Sequence, residues 1–199
     1  MAIHPGAKIS CSGREGTLGL LVTPYNDRSK IFLLSCWHVI DGGMESVDVI
    51  LPEHDNRVVA RYVRSAATSS KEMDVALAEI VPGHGLPISN QLADGSRTIS
   101  QAAYWDIGID LVKYGAATGQ TRCRLIDDPD QYGSLKYGLQ LGQHPAGEEI
   151  YCAHGDSGAV WCNEAGKAVG LHSKGGLAGN FAAATPVKYI LEDLGLTIL

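Results

Sequence analysis

Ser157 sits between glycines in Gly155-Asp156-Ser157-Gly158. Upstream stand His38, in Leu34-Ser35-Cys36-Trp37-His38-Val39-Ile40, and Asp74, in Met73-Asp74-Val75-Ala76-Leu77. A serine hydroxyl is a poor nucleophile at neutral pH until a base takes its proton and a third group orients that base. His38 can be that base and Asp74 the orienting carboxylate, so the order His, Asp, Ser points to acyl transfer on peptides. Each residue alone has an ordinary use: a Gly-Asp-Ser-Gly run makes turns, a histidine beside a tryptophan packs, and an aspartate caps a strand. Only the combination points to chemistry.

The elements that must position these residues read as short strands. Of 199 residues, 24 are glycine and 8 proline, which favours many turns over long helices. Apolar or alternating runs cover Thr17 to Val22, Ile31 to Ser35, Val47 to Leu51, Val58 to Val63 and Asp74 to Ile80. In Val58 to Val63 the alternation puts Val59, Arg61 and Val63 on one face. Pro82, Gly83, Gly85 and Pro87 then open a connection reaching about Ile107. A second set follows: Asp110 to Tyr114, Thr121 to Ile126, Leu135 to Leu141, Val160 to Asn163, Ala168 to His172 and Asn180 to Ala184. Pro186 to Leu194 carries Val187, Ile190, Leu191 and Leu194 at helical spacing, with Gly195 just beyond. The pattern is all-β with a C-terminal helix.

With these residues in view, the chain resembles the trypsin/chymotrypsin-like serine peptidase family over nearly its whole length. Ser35-Cys36-Trp37-His38-Val39 is similar to the family's histidine segment, with tryptophan where a small residue is usual. Asp74-Val75-Ala76-Leu77 is similar to its aspartate segment. Lys113-Tyr114-Gly115-Ala116-Ala117-Thr118-Gly119-Gln120-Thr121 resembles a stretch of bacterial members, and Gly170-Leu171-His172-Ser173-Lys174-Gly175 resembles the substrate-binding strand. The resemblance implies two six-stranded antiparallel β-barrels with the site between them. Residues 1–90 would form the barrel carrying His38 and Asp74, 91–107 the connection, and 108–199 the barrel carrying Ser157 and the specificity pocket. It implies His38, Asp74 and Ser157 as catalytic residues and the amides of Gly155 and Ser157 as the oxyanion hole, a contribution of about 3–4 kcal/mol per donor.

Carried over position by position, the pocket floor is Tyr151 and the next wall residue Cys152, with His154 at the rim beside Gly155. A tyrosine on the floor argues against selection of Lys or Arg. Gly-Leu-His-Ser resembles the strand of peptidases that cut after Glu or Gln, which makes His172 the group that hydrogen-bonds the substrate's terminal oxygen. Ser173, Lys174 and Gly175 form the edge that pairs with an extended substrate, and Ser173 bonds Asp74. Asp156 needs a cationic partner. The bacterial arginine position is Ala116 here, which leaves Arg122, Arg124 or an amino group freed at Ala2; with none of them, an activating partner protein would have to order the loop.

The remaining expectations concern setting. The net charge of −6 argues against non-specific nucleic-acid binding. No apolar run is long enough to span a bilayer. The first residues lack a signal-peptide layout, and the five cysteines (Cys11, Cys36, Cys123, Cys152 and Cys162) are odd in number and form no Cys-x-x-Cys pair. A cytosolic endopeptidase acting on a protein or peptide partner, with no cofactor and no metal, is expected. Two other readings stay open: a non-catalytic or activation-dependent peptide-binding module on the same fold, and a self-processing domain of a polyprotein.

Overall fold

A computed structural model gives the architecture; it describes residues 2–128, 136, 138–145, 152–175 and 181–199. The first half contributes β1 (Lys8–Cys11), β2 (Arg14–Thr17), β3 (Leu20–Pro24), β4 (Phe32–Ser35), a one-turn helix α1 (Trp37–Ile40), β5 (Ser46–Leu51), β6 (Arg57–Val63), β7 (Ser69–Ser70) and β8 (Val75–Ile80). The second contributes β9 (Asp110–Gly115), β10 (Gly119–Asp127), β11 (Leu139–Gly142), β12 (Val160–Cys162), β13 (Ala168–Gly175), β14 (Ala182–Pro186), α2 (Val187–Asp193) and β15 (Leu196–Ile198).

Strands β9 to β14 close into a six-stranded barrel in the order β10-β11-β14-β13-β12-β9. The first half does not close. Its nine-stranded sheet curls through β15-β3-β4-β8-β6-β5-β1-β2, with β7 paired to β8 off that path. The expected pair of six-stranded barrels is therefore one closed barrel and one curled, open sheet. The chain's end differs from expectation too: after α2 the chain returns to the first sheet, where β15 pairs with β3 from Leu196 opposite Pro24 to Ile198 opposite Val22. A three-residue strand is too short for periodicity to reveal.

Most strands fall where the alternation places them, with two instructive shifts. Residues Thr17 to Val22 split into the end of β2 and the start of β3. Val59, Ala60 and Tyr62 are buried while Arg61 and Val63 are exposed, because a register shift between Val49 and Ile50 in the partner strand breaks the simple alternation. Leu135 and Tyr137, expected at the start of β11, lie outside the described residues; the described strand begins at Leu139.

Two apolar cores result. The larger fills the curled sheet and extends to Val160, Leu171 and the Val187, Ile190 and Leu191 face of α2; the smaller fills the barrel around Leu111, Leu125, Leu141, Trp161 and Val169. A fully buried Leu, Ile or Val contributes about 1.5–3 kcal/mol, so these cores can hold the chain without cross-links. All five cysteines are free thiols, four of them buried. No helix among the described residues is long and apolar enough to cross a membrane.

Candidate active site

His38 lies on α1, an element absent from the strand pattern. Four residues cannot form a stable helix unaided, and tertiary contacts hold this one. Val39 and Ile40 are buried beneath it. Arg14 caps its end: Nε donates to the Val39 carbonyl at 3.0 Å, and Nη2 donates to the carbonyls of Ile40 and Asp41 at 3.0 and 3.2 Å. The Asp41 carboxylate, fully buried, accepts from the Gly43 amide at 2.9 Å and from the Tyr62 hydroxyl. This leaves the His38 side chain 44% exposed at the cleft.

Asp74, just ahead of β8, meets it. His38 Nδ1 is 2.9 and 2.8 Å from the two carboxylate oxygens, and the His38 amide donates to Oδ1 at 3.1 Å. Ser173 on β13 donates its hydroxyl to Oδ2. Asp74 itself adopts φ +52°, a backbone conformation that costs a non-glycine residue about 1–2 kcal/mol. The Thr185 hydroxyl, donating to the Met73 carbonyl at 2.7 Å, helps hold that turn from the other barrel. With Nδ1 committed to Asp74, Nε2 is the ring nitrogen left for the cleft.

Ser157 lies between β11 and β12 on a loop with two unusual glycines. Gly155 has φ +107° and Gly158 φ +95°. A Cβ on Gly158 would stand 2.1 Å from Ser35 Oγ and 2.3 Å from the Thr17 carbonyl, so glycine there is required by close approach as well as by conformation. Other amides of the loop are engaged: Asp156 N donates to Ala153 O at 3.1 Å and Gly158 N to His172 O at 2.8 Å. Among the described residues, the amides of Gly155 and Ser157 donate to no protein acceptor. Two unspent donors, the serine's own amide and that of the glycine two residues before it, are what an oxyanion hole needs.

Asp156 is locked by Lys113, and not by Arg122, Arg124 or an amino group at Ala2. Lys113 Nζ lies 3.0 Å from Asp156 Oδ2, and both side chains have no exposure. The Thr118 hydroxyl donates to the same oxygen at 2.7 Å, and the amides of Ala117 and Thr118 donate to Oδ1 at 3.0 and 3.1 Å. Arg124 is instead paired with Asp110. Burial pushes the Asp156 carboxyl up, but the Lys113 charge and these donors outweigh it and hold it below the usual carboxylate range. Burial draws Lys113 down, against the pull of Asp156. The signal for Lys113 was in β9: Leu111, Lys113 and Gly115 alternate inward, and a lysine in an inward phase demands a buried acid.

Ser157, His38, Cys152, His154, His172 and Gly175 line one cleft of about 890 Å³. A neighbouring cavity of about 470 Å³ is lined by Trp37, Asp74, Ser173 and Lys174, again with His38. Tyr151, the expected floor, lies outside the described residues. Gly175 is pressed on Cys152, whose Sγ would be 2.3 Å from a Cβ there. His172 is buried, its ring edge-on to Trp161 at 6.1 Å, and its Nδ1 has no partner. Burial, reinforced by the charge of Lys113, pushes its pKa down to about 3, so the imidazole is neutral at physiological pH.

Cys36 Sγ, His38 Nδ1 and an Asp74 oxygen lie within 4.8 Å of one another. The thiol already donates to the His172 carbonyl at 3.1 Å, and the carboxylate is spent on His38 and Ser173. The cluster is a histidine–aspartate pair with a packed thiol beneath it.

The fold is shared with bacterial chymotrypsin-like serine proteases. The chain is similar to a glutamic-acid-specific serine protease that uses a histidine triad in substrate binding (TM-score 0.76, 21% identity, 99% of this chain and 100% of that one covered). It is also similar to the chymotrypsin of Cellulomonas bogoriensis (0.74, 16%, 100% and 99%) and to Protease A of Thermobifida fusca (0.76, 17%, 100% and 99%). No protein-family model matches the chain, and no curated protein sequence does so at a significant level. The fold is that of the chymotrypsin-like serine proteases.

Removing Lys113 tests the lock. Lys113→Met leaves Asp156 buried without its counter-charge, a loss of about 3–5 kcal/mol that urea unfolding at pH 7 will read. Asp156 stabilises the fold fully above the ordinary carboxylate pKa, and that contribution is lost as pH falls through its lower folded value. In the variant burial is opposed only by the remaining hydrogen-bond donors and the carboxyl rises, so the sign reverses: in unfolding curves from pH 3 to 7 the deficit against the wild type will be largest near pH 7 and will narrow as the pH falls and Asp156 is protonated.

Proposed function

We propose that the chain is a serine endopeptidase working through His38, Asp74 and Ser157. The observation that carries this reading is the conjunction, in one cleft, of a carboxylate-oriented imidazole with a serine whose own amide and that of Gly155 are unspent. Ser157 Oγ attacks the scissile carbonyl while His38 Nε2 takes its proton. Asp74 holds the tautomer and stabilises the imidazolium, and the Gly155 and Ser157 amides receive the developing oxyanion. His38 then returns the proton to the leaving amine, and water completes the reverse half.

The Lys113 lock supports activity in the isolated chain, without an activating partner. The free thiols support a reducing compartment, and a narrow specificity suits such a setting. The substrate is a protein or peptide cut after Glu or Gln. His172 favours these because a neutral imidazole donates one hydrogen bond to a carbonyl or carboxylate oxygen at the end of a side chain. The likeness to a glutamic-acid-specific protease favours the same class, although the ring beside His172 here is Trp161. A non-catalytic peptide-binding module is the competing reading.

A fluorophosphonate probe decides between them. The wild-type chain will be labelled and Ser157→Ala will not; an unlabelled wild type sinks the endopeptidase reading. On a peptide library, cleavage will concentrate after Glu or Gln, and His172→Ala will erase that preference while labelling persists. Cleavage mainly after Arg, Leu or Phe would overturn the specificity. Because His172 stays neutral well below pH 5, KM for a Gln-bearing peptide will be flat from pH 5 to 8, measured by initial rates.

A further inference from the structure

The serine loop is held from the opposite half of the molecule by a single residue, Thr17. It is fully buried at the end of β2, in the curled sheet, and bonds in four directions. Its amide donates to the Ser157 carbonyl at 2.8 Å, and its hydroxyl donates to the Gly155 carbonyl at 2.8 Å. The hydroxyl oxygen accepts from the Ala116 amide at 3.0 Å, and the Thr17 carbonyl accepts from Ser35 Oγ at 2.8 Å. Since Ala116 can only donate, the hydroxyl proton is left for Gly155.

These contacts fall on the two residues whose amides remain unspent. The carbonyl between them, that of Asp156, is taken by the Ala159 amide at 2.9 Å. All three carbonyls from Gly155 to Ser157 are thus pinned, two of them by Thr17. Gly155 has φ +107° and no side chain to resist rotation, so the tilt of the Gly155–Asp156 peptide, which joins the two amide-bearing peptides on either side of it, depends on what the Gly155 carbonyl bonds. The Lys113 lock acts on the Asp156 side chain and leaves the Gly155 carbonyl untouched.

We propose that Thr17 is a positioning residue for the oxyanion hole, its hydroxyl fixing the Gly155–Asp156 peptide that lies between the peptides carrying the Gly155 and Ser157 amides, so that these two amides converge on one point. The hydroxyl acts through Gly155 and touches no substrate. The proposal rests on the serine endopeptidase reading. Its chemical consequence is specific: ground-state binding is unaffected, and stabilisation of the tetrahedral intermediate is lost.

The test compares Thr17→Val, which keeps the shape and the backbone bond to Ser157 but loses the hydroxyl, with Thr17→Ser, which keeps it. On a peptide that the wild type cleaves, Thr17→Val will lower kcat about 10- to 100-fold, somewhat less than outright loss of an oxyanion donor. KM will change less than about twofold, as expected for an interaction made only in the transition state. Inhibition by a peptide aldehyde, which forms the tetrahedral adduct, will weaken in parallel with kcat/KM, and Thr17→Ser will recover most of both. If Thr17→Val does not fold, Thr17→Ala carries the same expectation. Thr17→Val retaining kcat within about threefold of a cleaving wild type overturns this proposal alone. So does a loss of kcat that Thr17→Ser fails to recover. A wild type that neither labels with fluorophosphonate nor cleaves removes the endopeptidase reading and this proposal together.

Discussion

Lys113 and Asp156 form a charge pair 3.0 Å apart with no access to water, and the shape of the serine loop depends on it. Removing two ions from water costs several kcal/mol each, which their attraction repays only when the remaining hydrogen bonds are also satisfied. Asp156 is satisfied by Lys113, Thr118 and three backbone amides. Gly115 leaves the room for it: a Cβ there would stand 2.2 Å from Asp156 Oδ1. Such a pair is a costly way to gain stability, because well-packed apolar residues do as well. It is an effective way to hold one conformation, because almost any displacement leaves a bare charge in the interior. The residues on either side of Asp156 are Ser157 and Gly155, so that rigidity is delivered to the two amides proposed to receive an oxyanion.

The site is divided between two halves that each bring an incomplete part. The curled sheet supplies His38 and Asp74, and the closed barrel supplies Ser157. The parts are aligned by bonds across the seam: Ser173 and Thr185 reach Asp74 and its turn, and Thr17 reaches Gly155 and Ser157. Cys36, directly before the helix that carries His38, bonds the carbonyl of His172. His172 and His38 therefore share one scaffold. The open first sheet is consistent with this division, since its last strand, β15, comes from the chain's end and fastens the second half to the first.

Much of this was legible in the residues. Strong alternation and turn chemistry located β4, β5, β6, β8 and most of the barrel, since a period of two appears wherever one face is buried. Gly155-Asp156-Ser157-Gly158, His38 and Asp74 stood out because their chemistry is uncommon in combination. The β1–β2 hairpin was missed, as its four-residue strands carry charged and polar positions at the cleft edge. Helix α1 was missed for a related reason: its stability comes from Arg14 and the packing of Val39 and Ile40, not from local propensity. Lys113 was overlooked although its inward phase beside Leu111 was readable, because lysine is ordinarily a surface residue.

What the sequence alone determined is the β character of the chain and the candidate trio His38, Asp74 and Ser157, because side-chain chemistry and side-chain alternation are local properties of residue type and order. What only the tertiary structure decided is which groups meet. Ala116, where bacterial members would carry an arginine, gives its amide to Thr17, and the charge arrives from Lys113 on the barrel wall and not from Arg122, Arg124 or Ala2. Asp156 could have been reached by several cations of this chain, and its partner was chosen by strand pairing between β9, β10 and β12. Pairing of that kind is long-range and cooperative, and no window of the sequence contains it.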